Sequence, residues 1–88
     1  MSNLTFELVF LPSFVRDLRK LDPDVSRRIL KAIDEKLLPD PYTSGRKLTD
    51  ATPPGAWRFR VGDYRVRFDI EGKRIVLFRA RHRKEVYE

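Results

Sequence analysis

The sequence contains no cysteine, and this absence excludes several kinds of chemistry at once. A chain without cysteine has no disulfide, no thiolate nucleophile and no cysteine-type zinc site. No segment approaches the roughly 18 uninterrupted apolar residues that are needed to cross a bilayer. The first ten residues also lack the basic segment, the long apolar segment and the small-residue cleavage site of a signal peptide. We therefore expect a cytoplasmic protein with no membrane partner.

The length of the sequence leaves room for one modest core. Two cores within 88 residues would each bury too little apolar surface to offset the conformational entropy of ordering the chain. The apolar fraction of 41% is close to the globular norm and is spread along the chain. We expect residues 1–88 to form a single domain.

The positive charge is confined to the second half of the sequence. Residues 1–44 hold seven lysines and arginines against seven acids, whereas residues 45–88 hold twelve against six, which accounts for the whole net charge of +6. Most of these cations are arginines, whose planar fork can bind phosphate through two hydrogen bonds. This distribution predicts a polyanionic partner.

The N-terminal segment predicts a strand followed by a helix. Residues 5–10, TFELVF, are rich in strand-forming side chains and end at Leu11-Pro12. Ser13 then stands where a side-chain cap would begin a helix that continues to about Leu21. The apolar residues at helical spacing, which should form its buried stripe, are Phe14, Leu18 and Leu21.

A second helix is predicted to begin at Asp22-Pro23, because aspartate at the cap and proline at the first helical position both favour a helix start. Its pattern ends near Pro39, and residues 39–55 have the proline and glycine content of a loop. The face expected to be buried consists of Val25, Ile29, Ala32, Ile33 and Leu37.

Three consecutive strands are predicted in the remainder, at residues 56–61, 64–70 and 74–81. Gly62-Asp63 fits a two-residue hairpin with glycine at the first central position, and residues 71–73 fit a second short hairpin. The sequence therefore predicts an α+β fold. An N-terminal strand and two α-helices, packed on one face of a curved antiparallel sheet, lead into a three-stranded meander.

The first hairpin predicts a face made of arginine. Side chains alternate across a strand, so a turn at Gly62-Asp63 separates two sets of residues. One side carries Trp57, Phe59, Val61, Tyr64, Val66 and Phe68, and the other carries Arg58, Arg60, Arg65 and Arg67. Like charges placed directly across a strand pair destabilise the sheet by about 0.2–1 kcal/mol per pair. A merely solvated basic face remains the alternative, but we favour a face that binds phosphate.

The third strand continues the two-residue spacing of arginine, and its register admits two interpretations. A three-residue loop at 71–73 pairs Arg65 with Arg79 and keeps Val76 and Phe78 in the core, with Arg79, Arg81 and Arg83 all on the arginine side. A two-residue loop would instead place Val76, Phe78 and Ala80 there. We favour the three-residue loop, because the slip would expose apolar side chains.

His82 and Tyr87 are further candidate site residues. A lone histidine is more often a surface or packing residue, but the cations beside His82 disfavour its protonated form and favour a neutral imidazole that can accept a proton. Tyr87 fits a terminal packing residue, and beside an arginine face it equally fits stacking on a base.

The segments WRFRVGDYRVRFDI at 57–70 and RHRKEVY at 81–87 resemble the RelE branch of the RelE/ParE toxin superfamily. FVRDLRKL at 14–21, the DP at 40–41 and GRKL at 45–48 fit the same resemblance, which covers nearly the whole chain. The GDYR motif together with the R-x-x-VY ending is specific to the superfamily and less so to its branches.

The resemblance implies a type II toxin that enters the decoding site of the ribosome and cleaves mRNA there. Such toxins use no metal or other cofactor, because the ribose 2′-hydroxyl attacks the neighbouring phosphate and basic side chains stabilise the charge. The expected partners are mRNA, ribosomal RNA and a small RelB-like antitoxin that is partly disordered when free.

Residue roles follow from the resemblance. Arg65 and Arg81 match arginines that act on the scissile phosphate, and Tyr87 matches a tyrosine that stacks on a base or orients the 2′-hydroxyl. Arg58 and Arg60 stand where well-studied members have two lysines, and arginine keeps its proton and cannot act as a general base. A base would then come from His82, Tyr87, Glu85 or the ribosomal complex. The residues expected to bind RNA are Arg67, Arg79, His82, Arg83 and Lys84.

Two other functions compete with mRNA cleavage. One is a ParE-like toxin that inhibits DNA gyrase, and the other is a catalytically weak member of the fold that binds RNA or antitoxin. The sequence ends at Glu88, which we expect to leave no room for the C-terminal helix of some family members.

Overall fold

A five-stranded sheet organises the protein, in a computed structural model that describes residues 5–86. The spatial order of the strands is β1-β5-β4-β3-β2. The strands are β1 (Glu7–Phe10), β2 (Arg46–Lys47), β3 (Trp57–Val61), β4 (Tyr64–Glu71) and β5 (Arg74–His82). The helices are α1 (Pro12–Arg19), α2 (Pro23–Ala32), α3 (Pro41–Ser44) and α4 (Arg83–Val86). Within residues 5–86, no helix has the length and apolar character needed to span a membrane.

Helices α1 and α2 begin where proline is available at the first helical turn. The expected start at Asp22-Pro23 is confirmed, and a π-helical turn, Ile33–Leu37, continues α2 to the expected end before Pro39. The expected cap at Ser13 is wrong, because the helix begins one residue earlier. The Ser13 hydroxyl donates instead to the Phe78 carbonyl at 2.6 Å and so ties α1 to β5.

The core lies between the helices and one face of the sheet. Phe14 of α1, Ile29 of α2, and Ile33 and Leu37 of the π-helical turn are fully buried, as the helical spacing predicts. The sheet contributes Phe59, Val61, Val66, Phe68, Ile75, Leu77 and Ala80. Leu18, Leu21 and Val25 are partly buried around this cluster. The α+β arrangement predicted from the sequence is therefore confirmed.

The predicted loop at 39–55 contains two short elements. Asp40 caps α3 by accepting a hydrogen bond from the Thr43 N–H at 3.2 Å, and β2 follows directly after Gly45. Single-turn helices and two-residue strands carry too little periodicity to be read from composition. They depend on partners elsewhere in the chain, here β3, with which β2 pairs in antiparallel fashion.

The first hairpin has the predicted register. Val61 pairs with Tyr64 across Gly62-Asp63, and Gly62 has a φ of 58°, in the region that glycine adopts without strain. The second hairpin differs from the prediction, because Glu71 pairs with Arg74 across a two-residue turn, Gly72-Lys73.

A β-bulge then changes the alternation of β5. Arg67 pairs with Arg79 while Phe68 pairs with Leu77, so Phe78 is the additional residue of the bulge. Ile75 and Leu77 occupy the core before the bulge, and Val76 and Phe78 are only half-buried rather than in the core as predicted. The bulge brings Arg79 and Arg81 to the arginine side despite the two-residue turn. The favoured pairing of Arg65 with Arg79 is therefore wrong.

The end of the described chain also departs from the prediction. Strand β5 reaches His82, and Arg83 begins the single-turn helix α4 instead of continuing the strand. Arg83 is therefore not a member of the sheet face, and its Nε lies 3.9 Å from Asp63 Oδ1 in the first hairpin.

Candidate nucleic-acid interface

Seven arginines lie on the face of the sheet opposite the core. Directly paired residues of neighbouring strands project to the same side, so the register alone defines two rows. One row crosses four strands as Arg46, Arg58, Arg67 and Arg79, and the other crosses three as Arg60, Arg65 and Arg81. We call these seven residues the arginine face. The prediction that the first hairpin gathers four arginines on one side is confirmed.

The carboxylates of the described residues neutralise little of this charge. Among residues 5–86, Arg79 is the one member of the arginine face that forms an ion pair. The remaining arginines repel one another across the strands, which costs stability that a bound polyanion would return. The face can therefore attract and hold phosphate groups.

Arg65 is the central residue of the shorter row and is almost completely buried, with 4% of its surface exposed. Its Nη1 is inaccessible and has no hydrogen-bond partner among the described residues. Buried guanidinium nitrogens are normally paired, because an unsatisfied charged donor is costly away from water. Arg65 is therefore a cation without a counter-charge among the described residues, and an anion can approach it through the small part of its surface that stays exposed.

Arg67 is oriented by the chain segment that precedes β3. Its Nε donates to the Gly55 carbonyl at 2.7 Å, and the buried carboxylate of Asp69 accepts from the N–H groups of Gly55 at 2.5 Å and Ala56 at 2.9 Å. Arg67 and Asp69 therefore bind the same short segment from neighbouring positions of β4. This fixes the direction of the Arg67 guanidinium at the edge of the arginine face.

Arg79 is held by a carboxylate of α1. Arg79 donates to Asp17 through Nε at 2.7 Å and through Nη2 at 3.1 Å, and the Ala80 N–H donates to the same carboxylate at 2.9 Å. Burial raises the pKa of Asp17, but these hydrogen bonds and the charges of Arg79 and Arg81 outweigh it and hold that pKa below its usual value. The hydrogen bonds that Arg79 donates to Asp17 also raise the pKa of Arg79. Arg79 is thus a fixed cation, less available to a ligand than its neighbours.

His82 lies on the other side of the sheet. It pairs with Tyr64, whose side chain belongs to the core face, and the two rings meet edge to face with centroids 5.2 Å apart. Its Nδ1 accepts a hydrogen bond from the Lys84 N–H at 3.1 Å. The histidine predicted to face RNA is therefore not brought to the arginine face, and its Nδ1 lone pair is already engaged.

The remaining predicted residues divide between α4 and the terminus. Arg83 and Lys84 are exposed on α4, beside the arginine face rather than within it. Glu85, the third residue of that helix, lines a cavity of about 340 Å³ together with Asp17, Arg79 and Arg81. Tyr87 lies outside the described residues.

Arg46 is the residue of the face that sequence reasoning missed. It stands in a segment predicted as loop, and it joins the longer row because β2 pairs Arg46 with Arg58. The GRKL motif contains the signal, since a basic residue flanked by glycine at the end of a loop is compatible with a short edge strand.

Comparison with known proteins gives consistent matches across nearly the whole chain. A family described as the ParE toxin of type II toxin-antitoxin systems, parDE, matches residues 8–87. A relative named Toxin RelE3, from Methanocaldococcus jannaschii, is 31% identical over 85 residues, which cover 93% of this chain and 96% of the relative.

Two solved structures share the fold. The toxin-antitoxin complex RelBE2 from Mycobacterium tuberculosis matches with a TM-score of 0.79 and 25% identity, covering 89% of this chain and 98% of that chain. The RelB-RelE antitoxin-toxin complex from Methanococcus jannaschii matches with a TM-score of 0.69 and 26% identity, covering 90% and 94%.

Proposed function

Because the chain belongs to the RelE/ParE family of type II toxin-antitoxin toxins, we propose that it is a ribosome-dependent endoribonuclease that cleaves mRNA in the decoding site. The observation that carries the proposal is Arg65, the central residue of the shorter row, which is buried and has a guanidinium nitrogen without a hydrogen-bond partner among residues 5–86. A phosphodiester supplies the anionic oxygens that this donor lacks. The partner that restrains the toxin is a RelB-like antitoxin, as in the complexes that share its fold.

The reaction needs charge stabilisation more than it needs a metal ion. The ribose 2′-hydroxyl attacks the adjacent phosphorus, the bond to the 5′-oxygen of the next nucleotide breaks, and a cyclic phosphate and a 5′-hydroxyl end result. Negative charge accumulates on the phosphoryl oxygens in the transition state, where fixed donors are most effective. Arg65 and Arg81 are paired across β4 and β5, so both guanidinium groups can approach one phosphate.

The other arginines hold the substrate. Arg58 and Arg60 stabilise charge beside the reacting phosphate, and Arg67 and Arg79 bind the flanking backbone from orientations already set by Gly55 and Asp17. None of these can take up the 2′-hydroxyl proton, because arginine remains protonated. Tyr87 stacks on a base or orients the 2′-hydroxyl, and the proton passes to Tyr87, Glu85 or a group of the ribosomal complex.

The test uses translating ribosomes, a defined mRNA and mapping of the RNA 5′ ends. Replacement Arg65→Ala should lower the cleavage rate on saturated ribosomes about 100-fold, the usual effect of losing one transition-state donor. Ribosome binding, measured by co-sedimentation, should weaken far less. Arg28→Ala is the matched control, because Arg28 is exposed on α2 at the core side of the sheet.

Two outcomes would contradict the proposal. If Arg65→Ala lowers binding and cleavage to the same extent, the face is a binding module and not a catalytic site. If the folded wild-type protein leaves programmed ribosomes and their mRNA intact, ribosome-dependent cleavage is wrong altogether.

A second candidate function follows from the family match itself. The matching family is described as the ParE toxin, and ParE-like members inhibit DNA gyrase. A supercoiling assay with purified gyrase separates the two functions. Inhibition of supercoiling that survives Arg65→Ala, without mRNA cleavage, would favour the ParE-like activity.

A further inference from the structure

Two hydrogen bonds join His82 to the first turn of α4. His82 Nδ1 accepts from the Lys84 N–H, and Glu85 Oε1 accepts from the His82 N–H, each at 3.1 Å. The arrangement resembles a capping box: the residue before the helix accepts from a backbone N–H of the first turn, here that of the second helical residue, and the third helical residue accepts from the backbone N–H of the residue before the helix. Histidine here takes the place that serine or threonine usually occupies.

Helix α4 depends on such external partners because it is one turn long. A single turn fixes several backbone dihedrals for very few internal hydrogen bonds. Its first N–H groups have no partner inside the helix. The Arg83 N–H donates to the Asp63 carbonyl at 2.7 Å, and the Lys84 N–H donates to His82. Removal of the His82 acceptor would leave water as the partner of the second of these donors, because the Lys84 N–H lies at an exposed position.

The cap requires one protonation state of the imidazole. A backbone N–H can donate only to a ring nitrogen with a free lone pair, so Nδ1 carries no hydrogen and the neutral ring carries its proton on Nε2. Protonation of Nδ1 converts the acceptor into a donor that faces the Lys84 N–H. Histidine is the side chain that proteins use most often for a change of charge near neutral pH.

Charged and titratable groups surround the imidazole on several elements. Tyr64 of β4 packs edge to face on the ring, and the Glu85 carboxylate is bound to the backbone of His82 itself. The carboxylate of Asp63, in the first hairpin, lies near Arg83. The other neighbouring groups are Arg81 on β5 and Arg83 and Lys84 on α4.

Helix α4 also adjoins the arginine face. Glu85 lines the same cavity as Arg79 and Arg81, and the helix contacts both β4 and β5. While the capping box is intact, the Glu85 carboxylate is held by the His82 backbone. Release of the box frees this carboxylate within the cavity that it shares with two arginines, where it competes with phosphate.

We propose that His82 is a positioning residue, and not the general base, which holds α4 and Glu85 in place while its imidazole is neutral and releases them in mild acid. The consequence for RNA cleavage rests on the proposed function, whereas the consequence for α4 does not.

The first experiment uses the fact that His82 is the sole histidine of the sequence. Ring ¹⁵N chemical shifts of the labelled full chain should show the Nε2–H tautomer at pH 8. Hydrogen exchange at the Lys84 amide, corrected for the intrinsic pH dependence of exchange, should show protection that falls about fivefold as the ring is protonated, the effect of losing one helix cap. The proposal would be overturned by a predominant Nδ1–H tautomer, or by protection of the Lys84 amide that stays constant as the ring is protonated.

Substitutions separate capping from other roles of the ring. His82→Asn keeps a side-chain acceptor that does not titrate, so Lys84 protection should be retained and become independent of pH. His82→Ala should lower the protection at every pH. If His82→Asn keeps the acid sensitivity of the wild type, the responsible group lies elsewhere and the proposal is wrong.

The activity measurement is made as a ratio. Cleavage of mRNA by wild type relative to His82→Asn should be near unity at pH 8 and fall about fivefold at pH 5.5. A general base would behave differently, because His82→Asn would then lose activity at pH 8. Absence of cleavage by either protein at any pH would refute the proposed function and leave the NMR result on α4 intact.

Discussion

At the scale of single residues, the arginine face combines one buried guanidinium with several exposed ones. Arg65 is enclosed and has a nitrogen without a hydrogen-bond partner in the described part of the chain, whereas Arg46 and Arg60 are open to solvent. Arginine tolerates such burial because it keeps its proton and is more weakly hydrated than lysine. A face built this way can stabilise a phosphate strongly at one point and attract RNA from several others. In the proposed cleavage, groups other than these arginines must then carry out the proton transfers.

Asp17 gives the first stability prediction at this scale. Asp17→Asn removes the charge that binds Arg79 and should lower the free energy of unfolding at pH 7 by about 1–3 kcal/mol. The pKa of Asp17 is lower in the folded protein than in the unfolded chain, so the charged carboxylate stabilises the fold above the unfolded value. That contribution is lost as the pH falls through the folded value. Urea denaturation of wild type and variant at pH 7 and pH 3 measures the difference, which should shrink at pH 3.

The matched control for Asp17 is Asp24, which forms an exposed ion pair with Arg27 within α2. Asp24→Asn should change the free energy of unfolding by at most about 0.5 kcal/mol. Equal losses in the two variants, or an Asp17→Asn loss that persists unchanged at pH 3, would show that the Asp17 carboxylate does not join α1 to β5 as described.

At the scale of secondary-structure elements, the sequence predicted the first hairpin and missed the details of the second. The Gly62-Asp63 pair determines where the chain turns. Because polar and apolar residues alternate strictly on both strands, only one register buries the aromatic residues. The second hairpin combines a two-residue turn with a bulge at Phe78, and each of these shifts the alternation by one. Two compensating shifts cannot be separated by an alternation argument, because Arg79 and Arg81 lie on the same side of the sheet in both registers, although their partners on β4 differ.

Gly55 supports that bulge and provides a prediction about it. Its φ is 84°, and a Cβ atom added there would lie 2.7 Å from Phe78 Cδ2 and 3.3 Å from Arg67 Cβ. Gly55→Ala should lower the free energy of unfolding by about 2–4 kcal/mol, because backbone strain and overpacking add together. It should also weaken RNA binding, since Arg67 donates to the Gly55 carbonyl. Thermal or chemical denaturation and an RNA-binding titration measure the two effects.

Gly62→Ala controls for the backbone term alone. Gly62 also has a positive φ, of 58°, but an added Cβ meets no atom within 4 Å. Its cost should therefore be limited to about 1–2 kcal/mol of backbone strain. If Gly55→Ala lowers the free energy of unfolding no more than Gly62→Ala does, the close packing of Gly55 on Phe78 does not contribute to stability.

The short elements show which part of the site the sequence could not predict. Arg46 joins the longer row through a two-residue strand, and Glu85 reaches the His82 backbone through a single helical turn. Both placements depend on partners far away in the chain or on side-chain hydrogen bonds. Local patterns of hydrophobicity do not predict the placement of Arg46 or of Glu85, whereas the spacing alone predicted the four arginines of the first hairpin.

At the scale of the whole molecule, charge and core are divided between the two sides of the sheet. The first half of the sequence is neutral overall and supplies the helices that cover the core face. The second half carries the net charge of +6 and supplies the arginine face. A field of one sign on one side steers an approaching polyanion to that side. Removal of a charge from the arginine face should therefore weaken RNA binding more than removal of a charge from the helical side.

Arg60 and Arg28 allow that distinction to be measured, because both are exposed and each replacement by glutamine removes one positive charge. Binding to a single-stranded RNA is followed by fluorescence anisotropy between about 50 and 300 mM salt. Arg60→Gln should weaken binding and reduce the slope of log K against log salt by about 0.7, the loss of one phosphate contact on single-stranded RNA. Arg28→Gln should leave the slope unchanged, because its guanidinium lies on the helical side. Equal reductions of the slope in both variants would mean that RNA binding depends on net charge alone. The arginine face would then not be the specific RNA-binding surface.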